Sequence, residues 1–350
     1  MRVDLLATDR KRYTFETYAL EQVKKVLTKM GLSFQVIYLS DGLLSEYLSY
    51  RKVNPLSWSV SFSSLVPLGR SIVDLLPDPH FTWMRGTESS LLPSFSRSSA
   101  RWGIPNKILY KELGSPNLLY LPHGVENVSR HPSRPFPVVF FGPVVDYARL
   151  QRLWEDWLGL DGVSQMHLCV ERAWKGSLSS LQVVREMFGE DERIKALLSC
   201  VEEAIRVKIR DPLQRAFSEV PIHIFGAHIG ENLLCTLSKN VSLHMELPYT
   251  EHFEVLKQAE CIVMEEPTYW FFPALAAGAL PFSPPTPELI EELGPSSPLY
   301  ITDPKELEEK VKFYFQNPKE KEKLLASLQG HLAEKSWEKQ VGKMVKFMSP

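Results

Sequence analysis

The sequence predicts an α/β protein of two domains, each built on an open parallel sheet, and three observations lead there. Short apolar runs of strand length alternate with stretches of helical periodicity in both halves of the chain, which is the rhythm of parallel sheets covered by helices. The length of 350 residues exceeds what one hydrophobic core usually fills. Between the two series lies Ser129–Pro137, where Pro132, Pro135 and Pro137 accompany Arg130 and Arg134, a linker composition. The expected division is a first domain over 1–128, a linker over 129–137, a second domain over 138–333 with a helical, charged segment over 179–217, and a closing helix over 334–350.

In the first domain Val3–Ala7 reads as a buried strand, Phe15–Met30 as an amphipathic helix closed by Gly31, and Phe34–Leu39 as a second strand. The intervening loop carries Asp9, at a strand's carboxyl end, and the basic cluster Arg10, Lys11 and Arg12. Asp9 there is either a ligand-facing acid or the cap of a solvated turn. No Gly-x-Gly-x-x-Gly follows this strand, so a dinucleotide fingerprint is absent. Residues 42–100 alternate Gly, Pro, Ser and aromatics without a sustained period; only the Leu65–Leu76 region and Phe81–Met84 look regular, and Ser89–Ser99 reads as a serine-rich loop. Pro105–Leu113 then forms a helix ended by Gly114, and Leu118–Leu121 a strand running into Pro122-His123-Gly124. His123 is placed either to face a crevice as an acid, base or donor, or to be satisfied locally in the turn.

In the second domain Val138–Phe141 reads as a strand ending at Gly142, Tyr147–Leu158 as a helix, and Met166–Val170 as a further strand. Arg206, Lys208 and Arg210 cluster near the end of the helical segment, either as surface charge or as a source of one cation for a diphosphate. Strands are expected up to Phe225, over Ser242–Leu247 and over Cys261–Met264. In such a sheet ligands bind beyond the carboxyl ends of the strands. That places Gly226–Gly230, Pro248–Glu251 and Glu265–Phe272 around one crevice. The small-residue segment Ala274–Ala279 reads as a helix that either packs closely or opens its first turn toward a phosphate. Pro287–Leu293 and Lys305–Phe315 are helices, the second capped by Asp303, with a short edge element over Pro298–Ile301 between them. A last helical stretch starts near Pro318 and breaks at Gly330, and its final part sets Trp337, Val341, Met344 and Val345 on one apolar stripe in need of a partner.

Composition removes several classes. With 40 basic and 42 acidic residues, a net charge of −2 argues against a nucleic-acid binder, which needs a basic face to neutralise phosphates. Cys169, Cys200, Cys235 and Cys261 form no close pair, so neither a zinc knuckle nor a disulfide framework is expected, and the reducing cytoplasm is the expected compartment. The start carries no apolar secretion signal and the longest nearly uncharged run, Tyr269–Phe282, is too short for a membrane span, leaving peripheral membrane contact as an open alternative.

Several segments, in this order and spacing, resemble one known family: Y-L-P-H-G-V-E at 120–126, V-V-F-F-G at 138–142, I-H-I-F-G at 222–226, L-P-Y-T-E-H-F-E-V-L-K-Q-A-E-C-I-V-M at 247–264, F-F-P-A-L-A-A-G-A-L-P-F-S at 271–283 and P-L-Y-I-T-D-P-K-E-L at 298–307. The chain looks like a GT-B class glycosyltransferase of the spore-maturation-protein-like (CgeB-like) family, with the likeness covering residues 118–350. The resemblance implies two Rossmann-like domains facing across a cleft, a helical insertion in the second, and a C-terminal helix crossing back. It implies a nucleotide-diphosphate sugar as donor, an unidentified acceptor and no metal. By position, Gly142 and Gly226 would line the donor crevice, Tyr249 would border the base, and Thr268, Tyr269 and the backbone of Phe272, Pro273, Ala274 and Leu275 would face ribose and phosphates. Asp9 and His123 would stand on the acceptor side as catalytic candidates. At Pro273 the chain departs from the family, where a glutamate before the Ala-Leu pair binds ribose; Glu265 or Glu266 is the substitute the preceding loop offers. A catalytically degenerate homologue acting as a binding module is the second reading.

Overall fold

A computed structural model describes residues 2–7, 14–39, 41–55, 57–62, 72–76, 79–84, 100–126, 131, 133–142, 147–174, 178–189, 196–205, 219–226, 239–245, 247–264, 270–302 and 304–349. The chain divides into two compact units. One comprises Met1–Glu126, Pro248–Thr250 and Ala333–Pro350, the other Asn127–Leu247 and Glu251–Leu332.

The first unit holds a six-stranded sheet in the order β2-β1-β3-β4-β5-β6, where the strands are β1 Arg2–Ala7, β2 Ser33–Tyr38, β3 Trp58–Phe62, β4 His80–Trp83, β5 Arg101–Ile104 and β6 Leu118–Tyr120. Every pairing is parallel. Because strand side chains alternate between faces, the register Asp4↔Ser59 and Ser59↔His80, with Ser61↔Thr82 beside it, gathers five polar side chains on one face. All five are at most 1% exposed. Helix Asp41–Val53 covers them: Tyr47 donates to Asp4 at 3.1 Å, and Arg51 donates to the carbonyls of Ser57 and, at 2.9 Å, Pro79. Ser59 Oγ lies 2.8 Å from His80 Nδ1, while Ser61 and Thr82 hydroxyls lie 3.3 and 2.9 Å from its Nε2. A buried polar layer survives only when its members satisfy each other, and each of these five strand side chains has a hydrogen-bond partner.

Other strand residues of this unit carry the apolar packing. Phe81 and Trp83 of β4 meet Phe347 and Trp337 of the terminal helix Trp337–Met348, at ring-centroid distances of 6.3 and 5.5 Å. That helix buries Trp337, Gln340, Val341, Met344 and Met348, and Val125 extends the contact by donating to the Lys335 carbonyl at 2.7 Å. Gly124 lies under the Trp337 indole: a Cβ placed there would fall 2.2–2.7 Å from three ring atoms. Gly124→Ala is therefore expected to cost about 2 kcal/mol in urea unfolding through overpacking. The contrasting change Gly330→Ala, in the exposed interior of helix Pro318–Ala333 with nothing within 4 Å of the added carbon, should stabilise by roughly 0.5–1 kcal/mol. A Gly124→Ala protein as stable as the parent would contradict this packing.

The second unit holds five parallel strands in the order β11-β10-β7-β8-β9: β7 Phe136–Phe141, β8 Ile222–Phe225, β9 Val241–His244, β10 Ala259–Val263 and β11 Leu280–Phe282. The chain starts in the centre, winds one way through β8 and β9, then returns through β10 and β11. This is the doubly wound Rossmann arrangement, with its switch point between β7 and β10. Two sequence expectations are corrected here. Met166–Val170 is not a strand but part of helix Tyr147–Trp174, which bends at Gly159; Met166, Cys169 and Val170 are buried at helical spacing, and a five-residue apolar run does not distinguish the two states. Nor does the last helical stretch break at Gly330, since helix Pro318–Ala333 runs through it and ends three residues later.

Candidate functional site

In the second unit the switch-point strands end at Phe141 and Val263. Beyond β7 and β8 stand Gly142 and Gly226, both at positive φ, 131° and 95°. Their N–H groups continue the ladder: Gly142 donates to the Phe225 carbonyl at 2.8 Å, and Gly226 to that of His244 at 3.3 Å. What the pair offers is therefore the absence of side chains. A Cβ on Gly226 would stand 3.6 Å from Gly142 Cα, so the two backbones lie side by side with no side chain between them.

An aromatic cluster adjoins them. The Phe141 ring meets His252 edge-on at 4.4 Å and Trp270 at 5.2 Å, His252 and Trp270 are 5.1 Å apart, and Phe253 packs on Trp270 at 5.5 Å. His252 comes from helix Tyr249–Gln258, and Trp270 precedes helix Phe271–Ala276. The sequence alone marks out neither, although both lie in segments that follow strands.

Of the four residues assigned to the helix start, Phe272 is half-buried, while Pro273, Ala274 and Leu275 are buried. Pro273 has no N–H to give, and that of Ala274 donates to the Trp270 carbonyl at 2.9 Å. The far end is fixed more firmly. Gly278 N–H reaches the Leu275 carbonyl and Ala279 N–H that of Ala274, both at 2.9 Å, with Gly278 at φ 74°; this is a Schellman closure, which needs the left-handed residue that glycine supplies. The Arg134 guanidinium then donates to the carbonyls of Ala277 and Gly278 at 2.7 and 2.8 Å and to that of Ala259. A cation on the carbonyl end of a helix also complements its dipole. Close by, Lys321 is buried against Glu260, and burial pulls its ammonium below the usual lysine range despite that partner.

In the first unit His123 is 7% exposed, edge-on to Phe15 at 4.3 Å and stacked with Trp83 at 6.3 Å. Tyr249, assigned to the base, belongs to the same cluster, 5.4 Å from both Phe15 and Tyr18. Tyr18 donates to Glu126 at 3.2 Å, and burial, with the Glu126 charge next, raises its phenol far above the usual range. Asp9, Glu265, Glu266, Thr268, Tyr269, Arg206, Lys208 and Arg210 lie outside the described residues. Among the described residues no group of three or more His, Cys, Asp or Glu side chains is arranged to hold a metal, and no helix is long and apolar enough to cross a membrane.

A family model described as glycosyl transferase-like matches residues 206–346. No curated protein matches the sequence. Among solved structures, a point mutant of phage T4 β-glucosyltransferase in complex with UDP-glucose is similar over all of both chains, at 11% identity and a TM-score of 0.56, and the T4 enzyme with UDP and Mn2+ at 10% and 0.55, again over all of both chains. A putative UDP-N-acetylglucosamine 2-epimerase from Listeria monocytogenes is similar at 8% identity, covering 98% of this chain and 94% of its own, with a TM-score of 0.50. Likeness at such identity speaks for fold alone, and with the two sheets described above it assigns this chain the GT-B fold of two Rossmann-like α/β domains.

Proposed function

We propose that the chain is a nucleotide-sugar-dependent glycosyltransferase of the spore-maturation-protein-like family, with the donor held by the second unit. The observation that carries this reading is the pair Gly142 and Gly226 beside the Phe141–His252–Trp270 rings, at the carboxyl ends of a Rossmann-ordered sheet, where this architecture binds ligands. The glycosyl transferase-like match over 206–346 and the UDP-sugar complexes of similar fold support it. The aromatic rings suit a stacked nucleobase or the apolar face of a sugar, and the glycines suit the close approach of a diphosphate. By resemblance Glu266, Thr268 and Tyr269 are assigned to the ribose and phosphates with Phe272, Pro273, Ala274 and Leu275, and Tyr249 to the border of the base, although the Tyr249 ring is buried against Phe15 and Tyr18 of the first unit. Asp9 is the candidate for orienting or deprotonating the acceptor hydroxyl, with His123 as the alternative. The T4 enzyme is described as DNA-modifying; the near balance of charge here argues for an acceptor other than nucleic acid.

Gly226→Val supplies the test. A β-branched residue at φ 95° is strained by about 1–3 kcal/mol and sets its side chain against the Gly142 backbone. UDP binding by calorimetry should fall at least tenfold while the variant remains folded by circular dichroism, and Asp9→Asn should lose transfer with UDP affinity retained. Parent-like UDP binding in folded Gly226→Val would refute the donor assignment. Pro273, standing where the family has its ribose-binding glutamate, favours a second reading as a binding module without turnover. Donor binding with no hydrolysis of UDP-, GDP-, ADP- or dTDP-sugars would decide for it.

A further inference from the structure

On the second sheet, on strands β8 and β9, two imidazoles face each other. Phe225↔His244 and His223↔Ser242 are register partners, so His223 and His244 are diagonal neighbours on one face of β8 and the edge strand β9. His223 Nδ1 lies 3.0 Å from His244 Nε2. Both residues are half-buried, so solvent reaches them. Their rings are confined: His244 stacks on Phe225 at 4.2 Å and 11°, and Phe136 stands edge-on to His223 at 4.9 Å.

We propose that His223 and His244 form a two-imidazole site for a divalent late transition-metal ion of the Cu(II) or Ni(II) kind, with water completing its coordination. At metal–nitrogen bonds of about 2.0–2.1 Å, nitrogens 3.0 Å apart subtend about 95° at the ion. That is the cis angle of a tetragonal site, which these ions favour over a tetrahedral one. Metal binding requires the neutral ring. Burial lowers the proton affinity of both, and for His223 the neighbouring His244 adds to it, which favours the neutral rings; of the two facing nitrogens one donates its N–H and the other accepts it. When the ion enters, the imidazole donating the N–H···N bond moves that proton to its outer nitrogen through solvent, with no net change in charge. A small adjustment of each ring about its terminal torsion, within the contacts to Phe225 and Phe136, then brings the lone pairs toward the ion. The ion would tie the edge strand β9 to β8 next to Gly226, whose N–H rests on the His244 carbonyl.

The untagged full chain, stripped with EDTA, is titrated with CuCl2 and NiCl2 at neutral pH by calorimetry, and the one-equivalent Cu(II) sample is read by electron paramagnetic resonance. The expected result is one ion per chain, a tetragonal spectrum with splitting from imidazole nitrogen, a higher melting temperature, and affinity that falls as the pH is lowered through the range where the pair protonates. His223→Gln and His244→Gln should each lose more than the roughly 10–100-fold that removal of an outer-shell partner costs. His331→Gln, a histidine elsewhere in this unit 3.5 Å from Glu292, should bind as the parent does. Absence of one-to-one binding, or binding that survives in both pair variants, overturns the proposal.

Discussion

Lowering the pH from 6.5 to about 3 is expected to make the first unit easier to unfold by roughly 4 kcal/mol through His80 alone. The imidazole is 1% exposed, and burial, assisted by the Arg51 guanidinium, takes its pKa from 6.5 down to about 3. Between those values an unfolded chain carries the proton and the folded chain does not. Acid therefore favours unfolding, by about 1.4 kcal/mol per pH unit; above 6.5 neither state binds the proton and the effect vanishes. The native layer accommodates only the neutral ring, since Ser59, Ser61 and Thr82 offer hydroxyls rather than a carboxylate, and the acid of this layer, Asp4, is engaged by Tyr47 and Gln35. Urea unfolding at pH 7, 6, 5 and 4 should show this slope, and His80→Asn should flatten it by one proton's worth while lowering stability at pH 7. An unchanged slope in His80→Asn would mean that acid sensitivity arises elsewhere.

The same polar layer explains what the sequence concealed. Strands with two apolar faces, such as Val138–Phe141 and Cys261–Met264, are legible as runs because both faces are buried. Trp58–Phe62 is not, because Ser59 and Ser61 give it the alternation of a surface segment while it sits inside the sheet. Arg101–Ile104 begins with a charged residue whose guanidinium lies 5.1 Å from the Trp58 and Phe347 rings and donates to the Phe347 carbonyl, a role that only the returning C-terminal helix creates. The fold class was readable from rhythm; polar residues satisfied by distant partners were not.

For the site, Gly142 and Gly226 were legible because glycine directly after a buried strand is a local signal, and the structure sets the two side by side. His252 and Trp270 were not, because their significance lies in meeting Phe141 from two different connections. Tyr249 illustrates the converse: adjacent in sequence to His252's helix face, it packs with Phe15 and Tyr18 of the first unit. Proximity along the chain says little about which unit's core a ring joins.

Replacing Arg134 by alanine is expected to destabilise the second unit by about 3–4 kcal/mol. Its guanidinium donates to three main-chain carbonyls, those of Ala259, Ala277 and Gly278, and Ala259 and Ala277 are at most 1% exposed. Hydrogen bonds from a charged donor contribute roughly 1.5–3 kcal/mol each, and an abandoned buried carbonyl adds its own desolvation penalty; partial hydration of the vacated space reduces the sum. The carbonyls belong to two different elements, the start of β10 and the closing turn of helix Phe271–Ala276, so a residue two positions ahead of β7 sets where that helix ends relative to the sheet. Arg134→Lys should recover only part of the loss, because one ammonium cannot span the three acceptors that the planar fork reaches. Amide exchange should locate the damage, with protection lost first at Ala277–Ala279 while the ladder between β8 and β9 stays protected. Under the proposed function, UDP affinity should weaken in parallel with that local opening, and Arg134→Lys should fall between the parent and Arg134→Ala in both measurements. A loss below about 1 kcal/mol in Arg134→Ala, with exchange at Ala277–Ala279 unchanged, would show that the Schellman closure holds the helix without the arginine.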